Sequence, residues 1–98
     1  MTITKTQNGT TLTLALEGRL DTMTAPELEA EIKAIPIDVT ALTLDLEKLD
    51  YISSAGLRVL LGAHKAMSAK DGLKVKNVSE IVGEVFEVTG FSDILDIE

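Results

Sequence analysis

The sequence predicts an α/β fold: one domain over residues 1–98, with helices packed on a mixed β-sheet of about four to five strands. A length of 98 residues is enough for one domain and too short for two. Runs in which Leu alternates with small or polar residues are interleaved with segments of helical periodicity. Aromatic residues make up only 3% of the chain, so aliphatic side chains must build the core.

The first predicted element is a β-hairpin. Residues 2–7 and 10–17 flank Asn8-Gly9, a dipeptide that favours the positive φ angles of a type I′ turn. Leucines occupy alternate positions of the second run, which indicates a strand covered on at least one face. We expect residues 18–23 to form a loop that leads into the first helix.

A helix is predicted next, with a capping box formed by Thr24 and Glu27. Pro26 falls in the first turn, where its missing N–H does little harm, and Pro36 ends the element. The apolar side chains expected on one face of this helix are Leu28, Ile32 and Ile35.

A second strand over Val39–Leu46 completes a βαβ unit, which implies parallel pairing and a right-handed crossover. We interpret Glu47–Tyr51 as a polar loop and residues 52–70 as the start and body of a long helix. The predicted core stripe of that helix comprises Leu57, Leu60, Leu61, Ala63, Ala66 and Met67.

The last third of the sequence repeats the strand–helix pattern. Gly72 suits the left-handed position after a helix, and Leu73–Val78 is predicted to be a strand. Ser79 caps a helix that ends at Gly90, and Ile94–Ile97 is expected to form a short terminal strand. The predicted order of elements is therefore β-β-α-β-α-β-α-β.

Composition excludes several classes of function. The formal net charge of −7, from 9 basic and 16 acidic residues, disfavours direct contact with nucleic acid or an anionic membrane. The sequence contains no cysteine, which excludes disulfides and thiolate metal sites. With neither an apolar leader nor a run long enough to span a bilayer, the protein is expected to be cytoplasmic.

The chemically informative position is Ser53-Ser54, which follows a predicted strand and precedes a helix. Ligands and partners meet open α/β sheets at the carboxyl ends of the strands. The unpaired N–H groups and the dipole at a helix N-terminus favour an anion, so a phosphate on Ser54 would be accommodated there. The competing interpretation is that one of these serines is only an N-cap.

Two segments resemble a known family. Asp50–Leu61, DYISSAGLRVLL, is similar to the phosphorylation-site segment of the anti-sigma factor antagonists, which are STAS-domain proteins of bacterial partner-switching systems. Gly18–Ala25, GRLDTMTA, is similar to the Gly-x-Leu-Asp segment that lies beside the phosphorylation site in that family. The resemblance extends over nearly the whole chain.

The resemblance implies a regulatory protein without enzymatic activity or a cofactor. In the family, the unphosphorylated antagonist binds an anti-sigma factor that is also a serine kinase, and so frees a sigma factor. Phosphorylation by this kinase ends binding, and a serine phosphatase resets the cycle. The family also often has one further helix at the C-terminus, beyond the position of Glu98.

Aligned on the family's motif, the modified residue is Ser54, with Ser53 as the second choice because the family commonly has Asp there. The residues expected to contact the partner are Asp21, Thr22, Ser53, Ser54, Ala55, Gly56, Leu57 and Arg58. Asp21 could instead satisfy the amides of its own turn. Arg58 could contact the partner or form a salt link to Asp21 or Asp50.

The main alternative is a non-enzymatic STAS accessory or scaffold subunit of a membrane lipid-transport complex. A hydrolase using Ser54 is disfavoured, because His64 lies ten residues further along the same predicted helix, about 15 Å away along its axis. We interpret Asp45, Glu47 and Asp50 as solvated loop carboxylates and predict no metal site.

Overall fold

The computed structural model describes all residues from Met1 to Glu98. The strands are β1 (Thr2–Asn8), β2 (Thr11–Leu20), β3 (Ala41–Ile52), β4 (Leu73–Lys76) and β5 (Asp96–Ile97). The helices are α1 (Ala25–Lys33), α2 (Ser54–Met67) and α3 (Glu80–Thr89), followed by a short 3-10 turn at Phe91–Asp93. The predicted order of strands and helices is confirmed.

The strands form one five-stranded mixed sheet in the order β1-β2-β3-β4-β5. β1 is antiparallel to β2, and the other neighbouring pairs are parallel. Because crossovers between parallel strands are right-handed and the order advances in one direction, the three helices cover the same face of the sheet. The carboxyl ends of β2, β3 and β4 therefore share an edge, and α1, α2 and α3 begin there.

The core lies between the sheet and the helices and is entirely apolar. Leu14, Leu44 and Val75 are register neighbours on adjacent strands, and all are fully buried. The helices contribute Leu60 and Phe86, which are also fully buried. Burial of each large aliphatic or aromatic side chain stabilises the fold by about 1.5–3 kcal/mol.

The hairpin between β1 and β2 is confirmed, but the predicted turn type is wrong. Asn8 is the last paired residue of β1, opposite Thr11, so Gly9 and Thr10 are the central residues of the turn. Of these two only Gly9 has a positive φ, +64°. A positive φ at the first central residue alone, supplied by glycine, matches a type II′ turn rather than type I′.

Both strands that lead to the shared edge are longer than predicted. β2 continues through residues expected to form a loop and ends at Leu20, and β3 continues through the predicted loop to Ile52. The β2–β3 register shifts twice, between Ala15 and Glu17 and between Gly18 and Arg19. In β3 the buried Leu49 and Ile52 are out of phase with the earlier leucines, so its extension does not show in the hydrophobic pattern. In β2 the buried Leu20 keeps the phase, but the glycine at position 18 interrupts the row of leucines.

The predicted capping box of α1 is not formed. Thr24 is the N-cap residue, but its side chain makes no capping hydrogen bond to the helix. Its hydroxyl instead accepts a hydrogen bond from the Asp21 amide (2.9 Å) and lies within hydrogen-bond distance of the Arg19 carbonyl (2.8 Å). Thr24 therefore stabilises the loop before α1.

The later elements follow the prediction with small shifts. In α2, Ala66 is exposed and Leu61 only half-buried, and the helix ends at Met67 rather than near residue 70. Gly72 has the expected positive φ, +91°, and Ser79 caps α3. No helix is both long and apolar enough to cross a membrane.

Candidate functional site

The site is built where β2 ends and α2 begins. The Ser53 amide donates a hydrogen bond to the Leu20 carbonyl at 2.9 Å, and Leu20 is also the register neighbour of Ile52. A Cβ placed on Gly56 would lie 2.7 Å from Cγ of Leu20, so a glycine is needed for this close approach. The two sequence motifs, although far apart along the chain, therefore adjoin in the fold.

The two serines have different environments. Ser53 is half-buried and extended (φ −98°, ψ 175°), and its Oγ accepts a hydrogen bond from the Gly56 amide at 3.3 Å. Ser54 is the first residue of α2 and is exposed, and its hydroxyl makes no hydrogen bond within the chain. The N-cap interpretation therefore holds for Ser53, and the Ser54 hydroxyl is open to solvent.

The start of α2 is suited to an added negative charge. The first amides of a helix have no intrahelical partner, and the dipole places partial positive charge there. Ser53 satisfies the Gly56 amide, and the first turn of α2 contains no acidic residue. A group with negative charge on Ser54 would therefore meet favourable electrostatics from the helix itself.

Asp21 lies in the loop after β2 and organises that loop. Its Oδ1 accepts hydrogen bonds from the amides of Thr24 (3.1 Å) and Met23 (3.0 Å) and lies 3.2 Å from the Thr24 hydroxyl. The Thr24 amide, helped by the Met23 amide and by Arg19 3.8 Å from Oδ2, lowers the pKa of the Asp21 carboxyl. The turn role is thus observed, and a contact role for Asp21 stays a prediction.

The other predicted contact residues fall into two groups. Thr22 and Arg58 are exposed and Ala55 is half-buried, so these three lie on the surface. Gly56 and Leu57 are buried, so they hold α2 against the core. The alternative salt link from Arg58 to Asp21 or Asp50 is wrong, because Arg58 forms no ion pair.

Sequence reasoning missed an exposed group of side chains at the same edge. The guanidinium carbon of Arg19 lies 4.2 Å from the ring centroid of Tyr51, because the register of β2 and β3 makes these residues neighbours. Met23, in the Asp21 loop, is 84% exposed. Tyr, Arg and Met are enriched in protein interfaces. Arg19 and Tyr51 were within the two motifs, but the register shifts concealed their pairing.

No catalytic constellation accompanies Ser54. His64 is on the same helix, about 15 Å further along the axis, and its Nδ1 has no hydrogen-bond partner. Asp45 Oδ1 accepts hydrogen bonds from the Asn77 side chain and the Glu47 amide, both at 3.1 Å. No three metal-ligating side chains are grouped together anywhere in the structure.

Comparison with known proteins places the chain in a family. Residues 3–96 match the family model described as "Mlab, STAS domain". The chain is 35% identical over 82 residues to the anti-sigma-B factor antagonist of Staphylococcus aureus (strain NCTC 8325 / PS 47), which covers 82% of this chain and 76% of that protein. The chain belongs to the STAS-domain family of anti-sigma factor antagonists.

Solved structures confirm the predicted fold of this STAS protein. An anti-sigma factor antagonist from Mycobacterium paratuberculosis superposes with a TM-score of 0.88 at 24% identity, over 98% of this chain and 83% of that one. The Bacillus cell fate determinant SpoIIAA, in its phosphorylated form, superposes with a TM-score of 0.76 at 22% identity, over 99% of this chain and 91% of that one. At these identities the likeness shows the fold alone.

Proposed function

We propose that this STAS protein is an anti-sigma factor antagonist whose binding to an anti-sigma factor serine kinase is switched off by phosphorylation at Ser54. The observation that carries the proposal is the exposed Ser54 hydroxyl on the first turn of α2, free of hydrogen bonds and beside the Asp21 loop. The name of the Staphylococcus aureus relative and the phosphorylated form of SpoIIAA support the same cycle.

The different roles of the two serines support Ser54 as the phosphate acceptor. The reaction transfers the γ-phosphoryl group of ATP to the serine oxygen, with loss of the hydroxyl proton and release of ADP. At Ser53 the modification would disturb the oxygen that caps the Gly56 amide. At Ser54 it breaks no hydrogen bond, so Ser54 is the favoured acceptor and Ser53 the second choice.

Charge provides the switch without refolding. A phosphoserine carries about −1.5 to −2 charges at neutral pH, and a negative charge near a helix N-terminus is stabilising by about 0.3–1 kcal/mol. A like charge about 4 Å away in a docked partner costs on the order of 4 kcal/mol at an effective dielectric constant near 20. Since about 1.4 kcal/mol corresponds to tenfold in affinity, one such contact is enough to weaken binding several hundredfold to about a thousandfold.

The partner surface that we propose combines predicted and newly located residues. Asp21 orders the loop after β2 through its hydrogen bonds, while the buried Gly56 and Leu57 pack the start of α2 against the core. The side chains available for contact are Arg19, Thr22, Met23, Tyr51, Ser53, Ser54, Ala55 and Arg58.

The protein itself performs no catalysis and needs no cofactor, because the kinase supplies the nucleotide and a serine phosphatase removes the phosphate. The compartment is the cytoplasm, where transcription takes place in bacteria.

The test is incubation of the protein with the cognate kinase and ATP, followed by intact-mass analysis. We expect one phosphate per chain, absent in Ser54→Ala and retained in Ser53→Ala. By calorimetry, Ser54→Asp should bind the kinase at least about 100-fold more weakly than the unmodified protein, since the repulsion exceeds 2.8 kcal/mol. Circular dichroism should show that Ser54→Asp stays folded. Ser79→Ala is the control, because it alters the cap of α3 and leaves both serines at the start of α2 in place.

Two outcomes contradict parts of the proposal. Phosphorylation of Ser54→Ala at Ser53 would show that the acceptor is wrong while the switch survives. If neither serine is modified and substitution of both leaves binding unchanged, the switch itself is wrong. Stable association with the subunits of a lipid transporter, without phosphate uptake, would support the alternative function as an accessory subunit.

A further inference from the structure

The outward face of α3 carries an uncovered apolar row. Ile81 is 63% exposed and Val88 is 88% exposed, with the half-buried Val85 between them. Positions i, i+4 and i+7 lie on one face of a helix, and these three extend along about 10 Å of its axis. The row lines a shallow depression together with Glu84 and Thr89.

The outward faces of the other two helices are different. On α1 the exposed residues include Glu27, Glu29 and Lys33. On α2 they include Arg58 and Lys65. An exposed row of large aliphatic side chains is therefore a property of α3 alone among the helices of this fold.

An acidic row runs beside the apolar one. Glu80, Glu84 and Glu87 have the same i, i+4, i+7 spacing, offset by one residue, or about 100° around the helix. Helix α3 contains no basic residue, and none of its carboxylates forms an ion pair. The acidic row also lines the neighbouring groove together with Glu98, whose carboxylate is already paired with Lys74 at 3.4 Å.

This charge pattern selects the occupant. Two copies packed α3 against α3 would bring their acidic rows together, and each chain already has a net charge of −7. A partner with lysine or arginine beside an apolar stripe would match both rows. We propose that the face of α3 binds a basic amphipathic helix of a partner protein, with apolar side chains on Ile81, Val85 and Val88 and cationic ones facing the acidic row.

The face is small, so the contact is expected to be weak on its own. A standard interface buries about 800 Å² on each partner, more than one three-residue row and its border provide. The α3 contact would therefore add to binding elsewhere. None of its residues belongs to the start of α2, so its test requires no phosphorylation of Ser54.

The test uses two lactam-stapled helical peptides of about four turns, a length at which an unstapled helix is only marginally stable in water. Both carry the same leucine stripe, bordered by lysines in one peptide and by glutamates in the other. We expect NMR titration of the lysine peptide to shift the amides of α3 and not those of α1, which has its own glutamates but no apolar row. The glutamate peptide should bind at least about tenfold more weakly.

Substitutions in the protein give a second measurement with matched controls. Val88→Ser and Glu84→Gln should each weaken the lysine peptide by about fivefold or more, since one removes apolar contact and the other charge. Ile37→Ser and Glu27→Gln are the controls, because Ile37 is 95% exposed and Glu27 is exposed, both outside α3. Neither control should change binding.

Several results would overturn the proposal. Equal shifts on α1 and α3 would mean that charge alone attracts the peptide. Equal binding of the two peptides, or no effect of Val88→Ser and Glu84→Gln, would remove the role of the paired rows. Concentration-dependent dimerisation that shifts α3 amides in the absence of peptide would identify a second copy as the occupant.

Discussion

Helices α2 and α3 begin at the same edge of the sheet with the same cap and differ in the next residue. Ser53 Oγ accepts from the Gly56 amide and Ser79 Oγ from the Val82 amide, both at 3.3 Å. The residue after the cap is Glu80 in α3, whereas in α2 it is the uncharged Ser54. Helix α3 thus shows that the fold accepts a permanent negative charge at the position where α2 carries a hydroxyl.

The two helix starts also differ in how closely they approach their surroundings. A Cβ on Gly56 would lie 2.7 Å from Cγ of Leu20, whereas one on Gly83 would meet its nearest neighbour, Val78, at an ordinary 3.6 Å. The start of α2 is therefore fixed against the end of β2, and the first turns of α3 are less constrained. The comparison indicates that α2 presents Ser54 from a rigid support.

The largest expected effect is that of Gly56→Ala, because the added methyl group collides with the branch point of a buried leucine. We expect a loss of about 1–3 kcal/mol in the free energy of unfolding. Gly83→Ala is the matched control and should be neutral or stabilising by up to about 1 kcal/mol, as glycine is unfavourable inside a helix. Urea denaturation measures both, and a Gly56→Ala protein as stable as Gly83→Ala would contradict the rigid support.

The cap substitutions should have an intermediate effect. Ser53→Ala and Ser79→Ala each remove one side-chain acceptor, so each should lower the free energy of unfolding by about 1 kcal/mol. Ser54→Ala should change it by no more than about 0.5 kcal/mol, because the hydroxyl makes no hydrogen bond. A larger loss for Ser54→Ala than for Ser53→Ala in the same denaturation series would show that the two roles are reversed.

The smallest expected effect concerns charge on the first turn. Ser54→Asp should stabilise the protein and Glu80→Gln destabilise it, each by about 0.3–1 kcal/mol at low ionic strength. Both changes should shrink when salt is raised to about 1 M, because the charges are then screened within about 3 Å. Thermal unfolding at the two salt concentrations measures this, and destabilisation by Ser54→Asp would argue against an α2 start that accepts phosphate.

The parts of the fold that follow local rules could be predicted from the sequence. The alternating leucines, the βαβ unit, the Ser79 cap and Gly72 after α2 each depend on residues close together in the chain. The end of β3 could not be predicted, because Leu49 and Ile52 are displaced from the alternation although both are buried. The end of β2 was missed because Gly18 takes the place of a leucine before the buried Leu20. A polar run with interrupted periodicity then resembles a loop.

In the site, too, features set by neighbouring residues could be predicted, and features set by long-range contacts could not. The sequence placed Ser53 and Ser54 at a helix start, but which hydroxyl acts as the cap depends on backbone geometry. The capping box failed because Thr24 bonds to the loop organised by Asp21, a competing partner that a three-residue spacing does not reveal. Arg19 and Tyr51 come together only through the pairing of β2 with β3.

The hydrogen bond from the Ser53 amide to the Leu20 carbonyl has a consequence for substrate recognition. It holds Ser53, the residue directly before the proposed acceptor Ser54, against the end of β2, so Ser54 cannot be drawn out as part of an extended strand without local unfolding. A kinase that modifies Ser54 must therefore read the assembled domain, and a linear peptide copied from residues 50–61 would lack the surface that defines the substrate.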